Sequence, residues 1–149
     1  MGARRRASGM GTAPAHRPRR VPLSTPLLSV LVPVYNERAT LETLLERVLA
    51  VPVDKEVLVV DDGSRDGTRQ VLAALAQRLP IRALYHERNR GKGYAVRTAL
   101  AEARGEIVIV QDADLEYDPE DYPKLIAPIV RGETNVVYGS RYLGRDNPL

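Results

Sequence analysis

The sequence has no cysteine, no phenylalanine and no tryptophan, and only two of its 149 residues are histidine. The absence of cysteine excludes disulfide bonds and thiolate chemistry and fits a reducing compartment. Without phenylalanine or tryptophan, the core of the one domain that this length allows has to be aliphatic. No run of about 18 apolar residues, which a transmembrane helix would need, is present. His16 and His86 have no cysteine or histidine companion nearby, so neither is assigned a metal or catalytic role.

Arginine is concentrated at the start of the chain. Residues 1–26 contain six arginines and no acidic residue, whereas residues 27–149 hold the other 16 basic residues and all 19 acidic ones. A proline-rich segment of this charge cannot bury enough apolar area to fold, so we expect residues 1–26 to form a disordered basic arm that is dispensable for the fold. The arm would be free to contact anionic lipid headgroups. Because the remainder is acidic, a nucleic-acid-binding domain is not predicted.

Strand and helix patterns alternate from Leu27 onward. The predicted strands are Leu28–Val34, Glu56–Val60, Ile81–Tyr85, Glu106–Gln111 and Asn135–Gly139. The predicted helices are Glu37–Ala50, Asp66–Leu79 with Asp66 as N-cap, Gly91–Arg104, and a fourth that begins at Asp118-Pro119-Glu120. This alternation predicts an α/β fold with a mostly parallel sheet flanked by helices and right-handed crossovers. We expect residues 27–149 to be truncated at the C-terminus, because a sheet that ends after the fifth strand would have an unprotected flank.

Two predicted strands end in acidic residues: Asp112, Asp114 and Glu116 follow one, and Asp61-Asp62 follows the other. In an open α/β sheet, ligands bind at the carboxyl ends of the strands. Aspartates with this spacing suit an oxygen-preferring cation such as Mg²⁺ or Mn²⁺, which commonly bridges carboxylates to phosphates. A solvated acidic turn is the alternative for either strand end alone, and the presence of both favours a ligand site.

Two other motif interpretations fail at one position each. A calcium loop that begins at Asp62 would need a bidentate glutamate at its twelfth position, where the chain has Ala73. A dinucleotide-binding fingerprint that begins at Gly91-Lys92-Gly93 would need glycine or alanine at Val96. These glycines instead permit a tight entry into the third helix, whose N-terminus favours anionic groups. For Lys92, a phosphate contact and a solvated position both remain open.

Five short motifs occur in one order at the ends of the predicted elements. They are Val32-Pro33-Val34-Tyr35-Asn36-Glu37, Asp61-Asp62-Gly63-Ser64, Asn89-Arg90-Gly91-Lys92-Gly93, Gln111-Asp112-Ala113-Asp114 and Gly139-Ser140-Arg141. In this order they resemble the catalytic domain of family 2 glycosyltransferases, which has the Rossmann-like GT-A fold and binds nucleotide sugars. Within that family the chain looks most like the polyprenyl- or dolichyl-phosphate sugar transferases. The resemblance covers about residues 28–142 and makes residues 27–149 the N-terminal portion of a longer catalytic domain.

The resemblance implies a nucleoside pocket at the ends of the first two strands. Pro33, Tyr35 and Glu37 match family positions that line this pocket, where the ring of Tyr35 offers a face for the base. Capping of the following helix by Asn36 or Glu37 is the alternative, and it is compatible with this role. Asp62 matches the aspartate that hydrogen-bonds the base or ribose, and Val60 lies alongside it.

The resemblance assigns the metal and the diphosphate to the end of the fourth strand. Asp112 and Asp114 match the metal-binding motif, with Mg²⁺ or Mn²⁺ as cofactor and Asp114 as the catalytic residue, and Ala113 places its backbone against the nucleotide. Glu116 stands where the lipid-phosphate transferases often have glutamine, so it keeps an oxygen ligand but adds a negative charge. Arg141 matches an arginine that contacts the substrate's phosphates, although an exposed turn position would suit a structural role equally.

The implied reaction is the inverting transfer of a sugar from a nucleotide-diphosphate sugar to a polyprenyl phosphate of the dolichyl type. Two alternatives stay open: transfer to a sugar hydroxyl in polysaccharide or glycan synthesis, and a non-catalytic domain that binds nucleotide sugars. The expected partners are the donor and a lipid-phosphate or glycan acceptor, with peripheral contact to a membrane at its cytoplasmic face and no nucleic acid. Acceptor-side residues of similar enzymes lie mostly after Gly139-Ser140-Arg141, so we expect residues 1–149 to bind donor but to turn it over poorly.

Overall fold

The described chain alternates strands and helices, as the apolar patterns predict. The computed structural model describes residues 1–5 and 25–139. The strands are β1 (Gly2–Arg5), β2 (Leu28–Val34), β3 (Lys55–Asp61), β4 (Arg82–Tyr85), β5 (Ile107–Val110) and β6 (Val136–Tyr138). The helices are α1 (Leu41–Ala50), α2 (Thr68–Arg78), α3 (Lys92–Glu102) and α4 (Tyr122–Val130), the last preceded by a 3-10 turn at Pro119–Asp121.

The strands of the described residues form one sheet in the order β4-β3-β2-β5-β1-β6. The strands β4, β3, β2 and β5 run parallel to one another, and at the centre Val30 pairs with both Val57 and Ile109. The exception is β1, which lies antiparallel to both β5 and β6. The predicted mostly parallel sheet is therefore confirmed, and the carboxyl ends of β2, β3 and β5 meet at one edge of it.

Helices cover both faces of the sheet. Buried residues of α1, α2 and α4 pack with Val30 and Val32 on one face, whereas Ala95 and Ala99 of α3 pack with Leu31 on the other. Alternate residues of β2 thus serve different layers, as the pleat of a strand requires. The alanines of α3 let this helix approach the sheet closely. Among the described helices, none is long and apolar enough to cross a lipid bilayer.

Two helices begin later than the apolar periodicity predicts. A turn over residues 37–40 precedes α1, which begins at Leu41 rather than at Glu37. The N-cap of α2 is Gly67, with a left-handed φ of 98°, rather than Asp66. The Asp66 carboxylate still accepts a hydrogen bond from the Thr68 N–H over 2.9 Å. Asp66 therefore caps the helix from the position before the N-cap rather than from the N-cap itself.

The N-terminal arm departs most from the sequence prediction. Instead of the disorder expected throughout residues 1–26, Gly2–Arg5 forms β1, which is inserted between β5 and β6. Ala3 is buried, and its backbone lies opposite Ile109 and Val137. A short strand needs only backbone pairing and a small buried side chain, which a composition averaged over the whole arm does not reveal. Residues 6–24 of the predicted arm lie outside the described residues.

A network of hydrogen bonds joins the chain at the amino edge of the sheet. Glu56 Oε1 accepts from Ser29 Oγ over 2.6 Å and from the Gly105 N–H over 3.2 Å. The Gly105 N–H also donates to Ser29 Oγ over 2.8 Å. A Cβ atom on Gly105 would lie 2.6 Å from Ser29 N, a separation that the two backbone segments cannot keep without moving apart.

We expect Gly105→Ala to lower the free energy of unfolding by about 2 kcal/mol, because an added methyl group at a fully packed position strains its neighbours. Gly93→Ala in α3 is the matched control, since a Cβ there meets no described atom within 4 Å. Urea unfolding followed by circular dichroism measures both. Equal stability of the two variants would contradict the close packing at Gly105.

We expect Ala3→Asp to lower the free energy of unfolding by about 1–2 kcal/mol, because it places a charge in the buried layer beside β5. The melting temperature should fall by several degrees as a result. Arg4→Gln tests the exposed neighbouring position of the same strand and should melt like the wild type. If Ala3→Asp also melts like the wild type, β1 contributes nothing to the stability of the sheet.

Candidate functional site

A cavity of about 310 Å³ opens at the carboxyl edge of the sheet. Its walls come from the ends of β2, β3 and β5 and from the N-terminal turn of α3. The lining residues are Pro33, Val34, Tyr35, Glu37, Asp62, Asn89, Lys92, Ala95, Asp112, Ala113 and Asp114. The position follows from the parallel strands, because open α/β sheets bind ligands where the carboxyl ends of the strands meet.

The loop after β2 forms one wall and is held by the loop after β3. Asn36 has a left-handed φ of 54°. Its N–H donates to Ser64 Oγ over 2.9 Å, and its Oδ1 accepts from the Arg65 N–H over 2.9 Å. These bonds determine the direction of the chain beside Tyr35, which lines the cavity with 44% of its surface exposed. A tyrosine ring held in this way offers a flat face for stacking.

Glu37 serves the helix entry and the cavity at once. Its Oε2 accepts from Thr40 Oγ1 over 2.8 Å, and its backbone N–H donates to Thr68 Oγ1 over 3.0 Å. The same side chain lines the cavity. Glu37 therefore holds the turn before α1 through the Thr40 hydroxyl, whereas the N-cap itself is Thr40, which has no side-chain capping bond.

The two aspartates that follow one another at the end of β3 point to opposite faces of the sheet. Asp61 turns toward α2, where its Oδ2 accepts from Arg69 Nε over 2.8 Å. Asp62 turns toward α3, where it accepts from the backbone N–H groups of Arg90 over 2.9 Å and Gly91 over 2.8 Å. The alternation of side chains along a strand explains the difference. Asp61 maintains the turn after β3, and Asp62 lines the cavity.

Asp62 is held as a carboxylate. Burial alone would raise its pKa, but the hydrogen bonds from His86 and from the backbone N–H groups of Arg90 and Gly91 outweigh burial and lower the pKa below its ordinary value. The Arg90 N–H is shared between the two oxygens, 2.9 Å from Oδ1 and 3.1 Å from Oδ2, so each oxygen of Asp62 accepts two contacts. At the wall of the cavity, this carboxylate can act only as an acceptor of hydrogen bonds.

The loop after β5 brings two more carboxylates to the cavity. Asp112 Oδ1 lies 2.5 Å from Lys92 Nζ, so Lys92 occupies the cavity rather than only solvent. Asp114 Oδ1 accepts from the Glu116 N–H over 3.1 Å. Between these two residues, Leu115 has a left-handed φ of 64°, which turns the chain directly after Asp114.

Gln111 holds the start of this loop from inside the core. Its Nε2 donates to the carbonyl oxygens of Asp112 over 3.0 Å and Tyr117 over 3.3 Å. Its Oε1 accepts from the Tyr122 hydroxyl over 2.7 Å. Burial raises the pKa of Tyr122, so this hydroxyl stays protonated and remains a donor. Tyr122 is thus an aromatic exception within a core that is otherwise aliphatic, as predicted.

Asp112 and Asp114 fit a divalent cation that is shared with phosphates. Mg²⁺ in proteins is commonly bound by one or two carboxylates together with substrate phosphate oxygens and waters. Within residues 1–5 and 25–139, no group of three or more histidine, cysteine, aspartate or glutamate side chains could hold a metal by itself. Glu116, the predicted third ligand, is not among the residues that line the cavity. The donor set therefore fits a metal held by two protein carboxylates and a bound diphosphate.

Most of the predicted site residues come together in the cavity. Those that line it are Pro33, Tyr35, Glu37, Asp62, Asp112, Ala113 and Asp114. Val60 does not line it, because it is fully buried between the sheet and α3, two residues before Asp62 on the same side of β3. Glu116 lies outside the lining, and Arg141 lies outside the described residues.

Three residues that had no assigned role in the sequence belong to the site or its support. Asn89 and Ala95 line the cavity, and His86 is hydrogen-bonded to Asp62. Asn89 lies within one of the quoted motifs, so its place before the third helix was an available signal. No sequence signal links His86 to Asp62, because their contact depends on the pairing of β3 with β4.

Comparison with known proteins identifies the class of this domain. Residues 29–149 match glycosyl transferase family 2, and the chain belongs to this family. A mannosyltransferase from Pyrobaculum calidifontis in complex with GDP-Man and Mn²⁺ has a TM-score of 0.59 and 33% identity, over 70% of this chain and 33% of that one. Staphylococcus aureus TarS in complex with UDP-GlcNAc has a TM-score of 0.64 and 30% identity, over 82% of this chain and 37% of that one. The GT-A fold is thereby confirmed.

The similar curated proteins include transferases named for polyprenyl phosphates. The dolichol-phosphate mannosyltransferase of Pyrococcus furiosus is 37% identical over 118 residues, which is 78% of this chain and 33% of that protein. The undecaprenyl-phosphate 4-deoxy-4-formamido-L-arabinose transferase of Pseudomonas aeruginosa is 38% identical over 117 residues, which is 74% of this chain and 34% of that protein. The chain spans about a third of the length of these relatives.

At neutral pH we expect Asp62→Asn to lower the free energy of unfolding by about 1–3 kcal/mol, because an amide cannot accept the three hydrogen bonds that the carboxylate accepts. Because the pKa of Asp62 is lowered in the folded state, its carboxylate stabilises the fold fully at a pH above 3.8, the ordinary pKa of an aspartate. This contribution to the free energy of unfolding is lost as the pH falls through the lowered pKa. The difference between wild type and variant should therefore shrink in urea unfolding curves recorded from about pH 7 to about pH 3.

The control for this experiment is Glu46→Gln on the exposed face of α1. It should unfold like the wild type at each pH. A difference between wild type and Asp62→Asn that is independent of pH would contradict the role of the ionised carboxylate.

Proposed function

We propose that the protein containing this chain transfers a sugar, with inversion of configuration, from a nucleotide-diphosphate sugar to a polyprenyl phosphate. The observation that carries the proposal is the shared cavity in which Tyr35 and Asp62 lie with the paired carboxylates of Asp112 and Asp114. An aromatic face with a hydrogen-bond acceptor suits a nucleoside, and paired carboxylates suit a metal-bound diphosphate. The names of the curated relatives support a lipid-phosphate acceptor.

The nucleoside end of the donor is assigned to the walls formed after β2 and β3. Tyr35 stacks on the base, with Pro33 and Glu37 alongside, and the carboxylate of Asp62 takes a hydrogen bond from the base or the ribose. Asn89 adds a polar group next to Asp62. Its Oδ1 already accepts from the Gly91 N–H over 3.0 Å, so its amide N–H groups are the part that faces a ligand.

The diphosphate end is assigned to the loop after β5. Asp112 and Asp114 would hold Mg²⁺ or Mn²⁺, which when bound neutralises the charge that develops on the departing diphosphate. Ala113 presents backbone to the nucleotide, and Asp114 takes the catalytic role. Lys92, at the first residue of α3, adds a positive charge where the helix N-terminus already favours an anion. Mn²⁺ in two similar structures supports a divalent cofactor.

The chemistry of a lipid phosphate suits the residues at hand. A phosphate oxygen is anionic at neutral pH, so it can attack the anomeric carbon without a general base, whereas a sugar hydroxyl needs a carboxylate to take its proton. Attack from the side opposite the leaving diphosphate inverts the configuration. Arg141, outside the described residues, keeps its proposed contact with the phosphates. A lipid acceptor places the reaction at a membrane surface, and the absence of cysteine fits its cytoplasmic face.

We expect Mn²⁺ to tighten the binding of GDP-mannose or UDP-N-acetylglucosamine in titration calorimetry, and a chelator to remove that gain. Asp114→Asn should lower the affinity measured with Mn²⁺ by about tenfold or more at an unchanged melting temperature, because it removes a ligand charge at constant size. Asp121→Asn changes an exposed carboxylate outside the cavity and should keep the full gain. Equal wild-type affinities with metal and with chelator would contradict the metal site.

The acceptor is tested on the longer protein that contains this chain, because residues 1–149 alone are expected to turn the donor over poorly. The assay supplies a radiolabelled donor, a soluble glycan, and vesicles that contain or lack undecaprenyl phosphate. The label should enter the lipid fraction only when the phosphate is present, and Asp114→Asn should abolish this transfer. Label on a soluble glycan would favour the sugar-hydroxyl alternative. Donor binding with no transfer to either acceptor would favour the non-catalytic alternative.

A further inference from the structure

The imidazole of His86 connects two elements that build the cavity. His86 follows β4, and its Nδ1 lies 2.6 Å from Asp62 Oδ1 at the end of β3. Its Nε2 lies 2.9 Å from Thr98 Oγ1 on α3. The ring packs edge-on against Tyr94, with centroids 5.3 Å apart. Only 9% of the His86 side chain is exposed.

The backbone of His86 is held as firmly as its ring. Its N–H donates to the Asp61 carbonyl oxygen over 2.9 Å. Its own carbonyl oxygen accepts from the guanidinium of Arg69, which also binds the Asp61 carboxylate. With both backbone groups paired, the ring has little freedom to leave Asp62 and Thr98.

The protons on this chain of groups follow from the partners. An ionised Asp62 can only accept, so Nδ1 of His86 carries the proton that lies between them. In the neutral imidazole Nε2 is then an acceptor, and the Thr98 hydroxyl donates to it. Both ring nitrogens are satisfied in this arrangement.

His86 does not line the cavity, but the groups that it positions do. Asp62 accepts simultaneously from His86 and from the backbone N–H groups of Arg90 and Gly91. The residues on either side of that turn, Asn89 and Lys92, line the cavity together with Asp62. A displaced Asp62 carboxylate would therefore displace the turn as well.

We propose that His86 is a positioning residue for the nucleotide donor: through its Nδ1–H it orients Asp62, and through Asp62 it holds the turn of residues 89–92 against the bound nucleotide. This inference rests on the proposed function, because it takes the cavity to be the donor site. His86 itself does not contact the donor.

Four substitutions, three at His86 and one at Thr98, separate positioning from simple packing. In His86→Asn the amide nitrogen stands near the place of Nδ1 and can donate to Asp62. In His86→Gln it stands near the place of Nε2, so it reaches Thr98 but not Asp62. His86→Phe fills the space with neither contact. Thr98→Val removes the hydroxyl on the far side of the ring and leaves the contact with Asp62 in place.

Titration calorimetry of each variant with UDP and GDP in the presence of Mn²⁺, together with melting temperatures, provides the test. We expect His86→Gln and His86→Phe to bind the preferred nucleotide about tenfold more weakly, and His86→Asn to stay within about threefold of the wild type. Thr98→Val should lower the melting temperature while binding the nucleotide like the wild type.

The inference is overturned if His86→Asn binds as weakly as His86→Phe, or if affinity follows the melting temperature across all four variants. It is also overturned, with the proposed function left intact, if the wild type and His86→Phe bind nucleotide equally. A wild-type chain that binds neither UDP nor GDP would overturn the proposed function and this inference with it.

Discussion

The candidate site depends on one constraint, the parallel direction of the neighbouring strands β3, β2 and β5. Because these strands run the same way, the loops that follow them emerge at the same edge of the sheet. Each loop then contributes a different group: the ring of Tyr35, the carboxylate of Asp62, and the carboxylates of Asp112 and Asp114. The antiparallel strand β1 contributes no residue to the lining of the cavity. The topology of the sheet therefore brings these side chains together, and the chemistry of the site depends on that arrangement.

The parts of the site that the sequence predicted are those that depend on local order along the chain. An apolar run followed by Asp112 and Asp114 indicates a strand end whatever the rest of the fold does. The same reasoning could not tell which of Val60, Asp61 and Asp62 reaches the cavity, because it does not say which face of the sheet each helix covers. Only the packing of α3 on one face makes Val60 a core residue and leads Asp62 into the cavity.

The parts that could not be predicted depend on contacts between distant segments. Gly2 pairs with Val110 and with Tyr138. No pattern within the arm predicts that it pairs with strands so far along the chain. His86 meets Asp62 only because β3 and β4 are adjacent in the sheet. The error at the start of α2 was a local one. Asp66 does cap this helix, but the left-handed Gly67 shifts the helix start by one residue.

The hydrogen bonds of Glu56 with Ser29 and Gly105 lie at the opposite end of the strands from the cavity. Strands β2 and β3 are each seven residues long, so about 20 Å separates the two edges. Effects of substitutions at that distance add independently when no partner is shared. During divergence, changes at the amino edge can therefore offset stability lost at the carboxyl edge without altering the side chains that the loops place in the cavity. A domain arranged in this way can change the groups around its cavity while its scaffold is selected separately.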